Sequence, residues 1–242
     1  KDFIENVKYE AVDNVKRLRK HASIALWCGN NENSEGWHRW GWQADRSDEE
    51  KNEIWSNYLK VFDSILPNAV LSLTDADYWE SSPKYGRGNP KYKTVGDAHD
   101  WWIWHDAYPF EHLEENIPRF MSEFGFQSFP SYETIRYINQ NDSIEITSDG
   151  FKNHQKHSRG FELIDEYMKR DFPVPTSPED YVYMSQVLQA YGITKGIEAQ
   201  RRAKPYNMGT LFWQLNDCWP AISWSSIDYF GNWKGLHYKA KR

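Results

Sequence analysis

Three apolar runs in this 242-residue chain stop abruptly in acids and amides. Ile24 to Cys28 runs into Asn30-Asn31-Glu32, Phe120-Met121 into Ser122-Glu123, and Thr210 to Trp213 into Gln214, Asn216 and Asp217. A carboxyl group at the end of a buried strand is desolvated on one side and keeps its proton more readily, while hydrogen-bond donors around a second carboxyl hold it charged. One acid and one base result. Such a pair suits cleavage of a glycosidic bond, in which one carboxyl protonates the leaving oxygen and the other attacks the anomeric carbon, about 5 to 5.5 Å away in retaining mechanisms. Residue types alone also allow a plainer reading, in which the acids cap strand ends or pair with Arg39 or Arg119.

A second cluster of chemical groups is Asp97-Ala98-His99-Asp100-Trp101-Trp102-Ile103-Trp104-His105. Two histidines and acids this close could ligate a metal, but no further ligand motif accompanies them, so neither metal nor cofactor is expected. Aromatic residues are 17% of the chain, with 13 Trp. Most of these rings should build a core, and some could floor a pocket that stacks on sugar faces. Trp37, Trp40 and Trp42, just after Glu32, fit either role. Asn141-Asp142-Ser143 matches an N-glycosylation acceptor. No Gly-rich phosphate loop and no Ser-His-Asp order is present.

The elements that must position these groups alternate. Ile4, Val7, Ala11, Val15 and Leu18 form one helical stripe, with Asp2 and Glu5 in the first turn and Lys16, Arg17, Arg19 and Lys20 at the end, as the helix dipole favours. Ile24 to Cys28 reads as a buried strand. Ser47 and Glu50 form a capping box that opens a helix expected to end at Pro67. Ala69 to Leu73 and Thr94 to His99 read as parallel strands, as do Phe120 to Gly125 and Thr210 to Trp213. Helices are expected over 131–139 and 158–170, and from the N-cap Ser177 and Pro178 to about Arg201. Between them, 80–90 is a Pro- and Gly-rich loop. Strand and helix in turn indicate a β/α fold. A closed eight-stranded barrel of this kind needs about 250 residues and begins with a strand; this chain begins in a helix and offers five strands, like the later part of a barrel.

Composition sets the outer limits. The formal charge is −6 and the pI 5.8, which disfavours a nucleic-acid partner. Mean hydropathy is −0.85 and no apolar run approaches 18 residues, so no spanning helix is expected, and the charged opening Lys1-Asp2 does not read as a signal peptide. Two cysteines cannot build a disulfide framework; Cys28 and Cys218 read as buried thiols.

Three stretches carry a family resemblance. Leu18 to Glu32, ending Ala25-Leu26-Trp27-Cys28-Gly29-Asn30-Asn31-Glu32, resembles the acid/base motif of the β-mannosidases of glycoside hydrolase family 2. Arg119-Phe120-Met121-Ser122-Glu123-Phe124-Gly125-Phe126-Gln127-Ser128-Phe129-Pro130 resembles their nucleophile motif, and Lys204 to Pro220, with Thr210-Leu211-Phe212-Trp213-Gln214-Leu215-Asn216-Asp217, their final barrel strand. The resemblance implies a (β/α)8 TIM barrel of which residues 1–242 supply strands four to eight, as one N-terminally truncated catalytic domain. It implies Glu32 as acid/base, Glu123 as nucleophile, Asn31 on the sugar 2-hydroxyl and Trp213 as the floor of the pocket. His99 and Trp101 would line that pocket. Relatives often place a Tyr after this strand to hold the nucleophile, whereas this chain offers His105, with Tyr108 nearby. The implied reaction is exo-acting, retaining hydrolysis of terminal β-mannose from oligosaccharides, without a cofactor or membrane. A β-galactosidase or β-glucuronidase of the same family, or a non-catalytic sugar-binding fragment, are the alternatives. The missing barrel strands and flanking β-domains would be partners of this chain, which alone is expected to have little activity, since an open barrel leaves strand edges unpaired.

Overall fold

The computed structural model describes residues 2–139 and 144–242, so the acceptor triplet Asn141-Asp142-Ser143 lies outside the described residues. The chain forms two compact units, Lys1–His99 and Asp100–Arg242, and mixes helices with short strands.

In the first unit, α1 (Asp2–Leu18) has the expected acidic start and basic end and buries Val15. β1 (Trp27–Cys28) leads through a short turn to α2 (Asn33–Arg39). α3 (Asp48–Leu59) opens with the expected capping box, in which Ser47 and Glu50 each bond the other's backbone N–H. A π-helical stretch (Lys60–Ile65) continues it into α4 (Leu66–Leu71), against which α1 packs. β2 (Tyr78–Trp79) pairs in parallel with β1, Trp27 opposite Tyr78 and Cys28 opposite Trp79. β3 (Asp97–Asp100) begins in this unit, whose last residue is His99.

Four expectations are corrected here. Pro67 does not end the helix. A proline near the start of a helical segment lacks an N–H that the turn before it can do without, and the wider π turn places the Phe62 carbonyl where the Tyr78 hydroxyl donates to it at 2.6 Å. Nor is Ala69 to Leu73 a strand: 69–71 complete α4, with Ala69 and Val70 buried on its inner face. The strand lies later, at Tyr78–Trp79. The run Ile24 to Cys28 is strand only at Trp27–Cys28 and is half-buried to exposed, and Cys28 and Cys218 are exposed free thiols rather than buried ones.

The second unit begins with α5 (Trp102–His105) and α6 (His112–Glu115), followed by β4 (Phe120–Phe124) where a strand was expected. α7 (Tyr132–Ile138) is capped by Ser131, and α8 (Asp149–Lys152) and α9 (Gly160–Asp171) follow. α10 (Pro178–Arg202) starts at the expected Ser177 cap, and α11 (Gly235–Ala240) packs on it. The core is aromatic. Trp104 and Phe110 meet Phe126 edge to face with centroids 5.1 Å apart, and Tyr167 packs on both phenylalanines. Gly192 makes room for this on α10, since a Cβ there would lie 2.1 Å from the Phe110 ring. The segment 208–213 runs beside β4 by backbone bonds, Met208 N–H to Arg119, Met121 N–H to Gly209, Leu211 N–H to Met121 and Trp213 N–H to Phe124. It forms a parallel bridge at Met121 and Thr210 rather than a full strand. No helix among the described residues is long and apolar enough to cross a membrane.

Candidate active site

In the first unit the parallel pairing of β1 and β2 runs on past both strands. Gly29 N–H donates to the Trp79 carbonyl, Ser82 N–H to that of Asn30, and Glu32 N–H to that of Ser82 at 2.8 Å. Glu32 is thereby pinned at the end of the strand, with φ 59° in the left-handed region. That conformation is costly for a residue with a Cβ, and an observed outlier of this kind is a pointer to function. Glu32 stands at the N-cap of α2, yet its side chain makes no capping bond. Asn30 does that work: its Oδ1 accepts from the Asn33 N–H at 3.0 Å and the Ser81 hydroxyl at 2.9 Å, while its Nδ2 donates to the Glu80 carbonyl at 2.7 Å. Glu32 is thus left to face His99, whose Nδ1 is 2.7 Å from Oε1.

His99 is itself held. Its Nε2 is 3.0 Å from Ser82 Oγ, which donates to Asp97 at 2.5 Å, and Tyr92 donates its hydroxyl to the His99 carbonyl. Asn31, next to Glu32, is exposed and bridges Ser82 through its backbone. One turn further along α2, Glu35 pairs with Arg39 at 3.5 Å. Desolvation pushes the Glu35 carboxyl above the ordinary range, Arg39 opposes this, and the neighbouring Glu32 adds to it. Of the three tryptophans after Glu32, Trp37 is buried and stacks on Trp55, whereas Trp40 and Trp42 are exposed and meet edge to face.

In the second unit Glu123 projects from β4 and is buried to 8% exposure. Two residues on, Gly125 marks a close approach: a Cβ there would lie 2.3 Å from the Trp213 carbonyl oxygen, 3.1 Å from the Trp224 ring and 3.3 Å from that of Trp101. Trp213 is therefore fixed beside β4 by backbone contact, with its N–H on Phe124 at 2.7 Å and a cis bond to Gln214, and its side chain is 43% exposed. Trp101 meets Trp224 edge to face, and His105 lies between Trp101 and His157, at 5.6 and 5.3 Å. Residues 213–218 and Lys156 line an open cavity of about 450 Å³. Arg119 lies over the Tyr206 ring, a cation–π contact.

Asp217, expected with Gln214 and Asn216 to face a site, is turned inward instead. It accepts from Ser223 at 2.7 Å and Ser225 at 2.6 Å. Beneath it Lys234 is fully buried, its Nζ 3.3 Å from the carbonyls of Ser128 and Ser223 and from Ser225 Oγ. Burial pushes this amine down to about 7, against the pull of the Asp217 and Asp228 carboxylates. Sequence reasoning missed Lys234 and Ser82, and it gave Asn30 no role as the cap of α2. Ser82 could have been suspected only from its place in the Pro- and Gly-rich loop.

The local geometry thus joins Glu32, Asn31 and His99 around one strand end, and brings Trp101 and Trp213 against Gly125, two residues past Glu123, with His105 beside Trp101. Comparison with known proteins finds the whole chain 33% identical to part of beta-mannosidase B of Aspergillus clavatus and 31% identical to part of that of Aspergillus niger. Among solved structures, a β-D-mannosidase from Dictyoglomus thermophilum superposes with a TM-score of 0.86 at 36% identity, again over the whole chain. This chain is related to the β-mannosidases. It spans about 30% of the length of the curated β-mannosidases it matches and 29% of the Dictyoglomus chain. An exo-chitosanase from Amycolatopsis orientalis shares the fold, with a TM-score of 0.58 at 14% identity over 97% of this chain. No family model matches.

Proposed function

We propose that this chain is the catalytic part of a retaining, exo-acting β-mannosidase of glycoside hydrolase family 2, and that residues 1–242 are one domain, strands four to eight of its (β/α)8 barrel. The observation that carries the reading is the order of the three motifs along a chain that β-mannosidases match from end to end. The catalytic roles go to Glu32 and Glu123. Glu123, ionised, attacks the anomeric carbon of a terminal β-mannose; its oxygen forms the new bond as the bond to the leaving oxygen breaks. Glu32 gives that oxygen its proton, then takes one from the water that releases mannose.

Asn31 binds the sugar 2-hydroxyl and Trp213 supplies the apolar floor, a role its exposed ring suits. Trp101, His105 and His99 line the pocket, as the resemblance implies. The substrate is a mannose-capped oligosaccharide. The test is a panel of aryl β-glycosides offered to the full-length protein, with the anomer of the released sugar followed by NMR. Turnover confined to the mannoside, with β-mannose appearing first, is expected. Preference for the galactoside or glucuronide, or α-mannose as first product, would overturn the assignment.

A further inference from the structure

Two contacts of the His99 ring bear on the proton it shares with Glu32. A serine hydroxyl has one proton to give. Ser82 Oγ lies 2.5 Å from Asp97 Oδ2, the short separation of a hydroxyl donating to a carboxylate, and the buried Asp97 accepts the Lys84 N–H on its other oxygen at 3.1 Å. Ser82 has therefore committed its proton to Asp97 and meets His99 Nε2, 3.0 Å away, as an acceptor. Nε2 must carry a hydrogen. On the opposite edge of the ring, Nδ1 is 2.7 Å from Glu32 Oε1. With Nε2–H set, one proton completes this contact, either on the carboxyl and donated to a bare Nδ1 or on Nδ1 and donated to a carboxylate.

We infer that Ser82 and Asp97 are positioning residues that hold His99 as its Nε2–H form, so that Glu32 and His99 keep one transferable proton between them. This rests on the reading of Glu32 as the acid/base. In the first step the leaving oxygen takes that proton. Glu32 then stands as a carboxylate against the Nδ1 lone pair, two acceptors face to face. It regains a proton from the attacking water as the water oxygen bonds to the anomeric carbon and the bond from that carbon to Glu123 breaks. Without Ser82, Nε2–H loses this acceptor, and the tautomer with its hydrogen on Nδ1, donated to an ionised Glu32, gains population at the expense of the proton meant for the leaving group.

The experiment is kinetic, on the full-length enzyme. Ser82→Ala should lower kcat/KM on β-linked mannobiose, whose leaving oxygen needs a proton, by about tenfold or more, and leave 2,4-dinitrophenyl β-mannoside within about twofold. Ser82→Thr, which keeps the hydroxyl, should restore mannobiose cleavage. Should Ser82→Ala not fold, Ser82→Cys, with its weak acceptor, reads the same contrast. Equal loss on both substrates, or loss on neither, overturns the inference. Glu32→Ala serves as the reference: if it too shows no leaving-group contrast, the acid/base reading itself fails, whereas a contrast in Glu32→Ala without one in the Ser82 variants overturns the inference alone.

Discussion

His99 Nδ1 lies 2.7 Å from Glu32 Oε1, although 67 residues separate them in the chain. The contact depends on a division of labour at the start of α2. Asn30 caps the helix, so the Glu32 side chain, launched from a left-handed backbone, is released toward the ring. Side-chain exposures of 19% for Glu32 and 4% for His99 put the pair in surroundings where a hydrogen bond is strong and a lost partner costly.

Gly125 should tolerate no side chain. A Cβ placed 2.3 Å from the Trp213 carbonyl oxygen meets backbone, which cannot rotate aside as a side-chain tip can. Gly125→Ala should therefore separate β4 from the Trp213 segment, at a cost of about 1 to 3 kcal/mol. The expected result is a lower Tm, with a change in tryptophan fluorescence and a drop in kcat/KM of about tenfold or more. Wild-type Tm and kinetics would show that the close approach is unimportant.

Lys234 should make stability depend on pH. An unfolded lysine keeps its proton to about 10.5, whereas burial lowers the folded value to about 7. Between these limits the unfolded chain binds more protons, so stability rises with pH above about 7 and is lost again as pH falls through that value. Lys234→Met should flatten the rise, removing a difference on the order of several kcal/mol between pH 6 and 10. Thermal unfolding of both proteins across that range measures it, and parallel pH curves would contradict the prediction.

The Lys234 network also shows what could not be foreseen. Asp217 sits in a motif that reads as site chemistry, but its partners Ser223, Ser225 and Lys234 come from a later loop whose path no local pattern specifies. Local patterns served well where the physics is local. The Ser47 and Glu50 capping box, the Ser177-Pro178 start of α10 and β4 with Glu123 all lie where propensity and capping place them. Ala69 to Leu73 misled because a five-residue apolar run fits a buried strand and a helix face equally. Glu32 and Glu123 stood out as acids ending apolar runs, and the resemblance pointed to His99; Ser82, which holds both Glu32 and His99, is set by pairing between β1 and a strand about fifty residues on, which the sequence does not advertise.

Glu35 should also titrate with the fold. Desolvation raises its folded value, so the folded state holds this proton to higher pH than the unfolded chain does. Its contribution to stability is present in full below the ordinary glutamate value and is lost as pH rises through the raised one. Glu35→Gln, which keeps shape and removes the charge, should be less stabilised at pH 4 than at pH 7 relative to the parent protein. A Tm difference that does not grow over that interval would contradict this.

The central claim is that Glu123 is the nucleophile, and the most direct measurement is the site of covalent labelling. A 2-deoxy-2-fluoro β-mannoside with a good leaving group should form a glycosyl-enzyme on the full-length protein at a stoichiometry of about one. Peptide mass spectrometry should place the sugar on Glu123, and Glu123→Gln should abolish the adduct. An adduct on any other residue, or undiminished labelling of Glu123→Gln, would contradict the account.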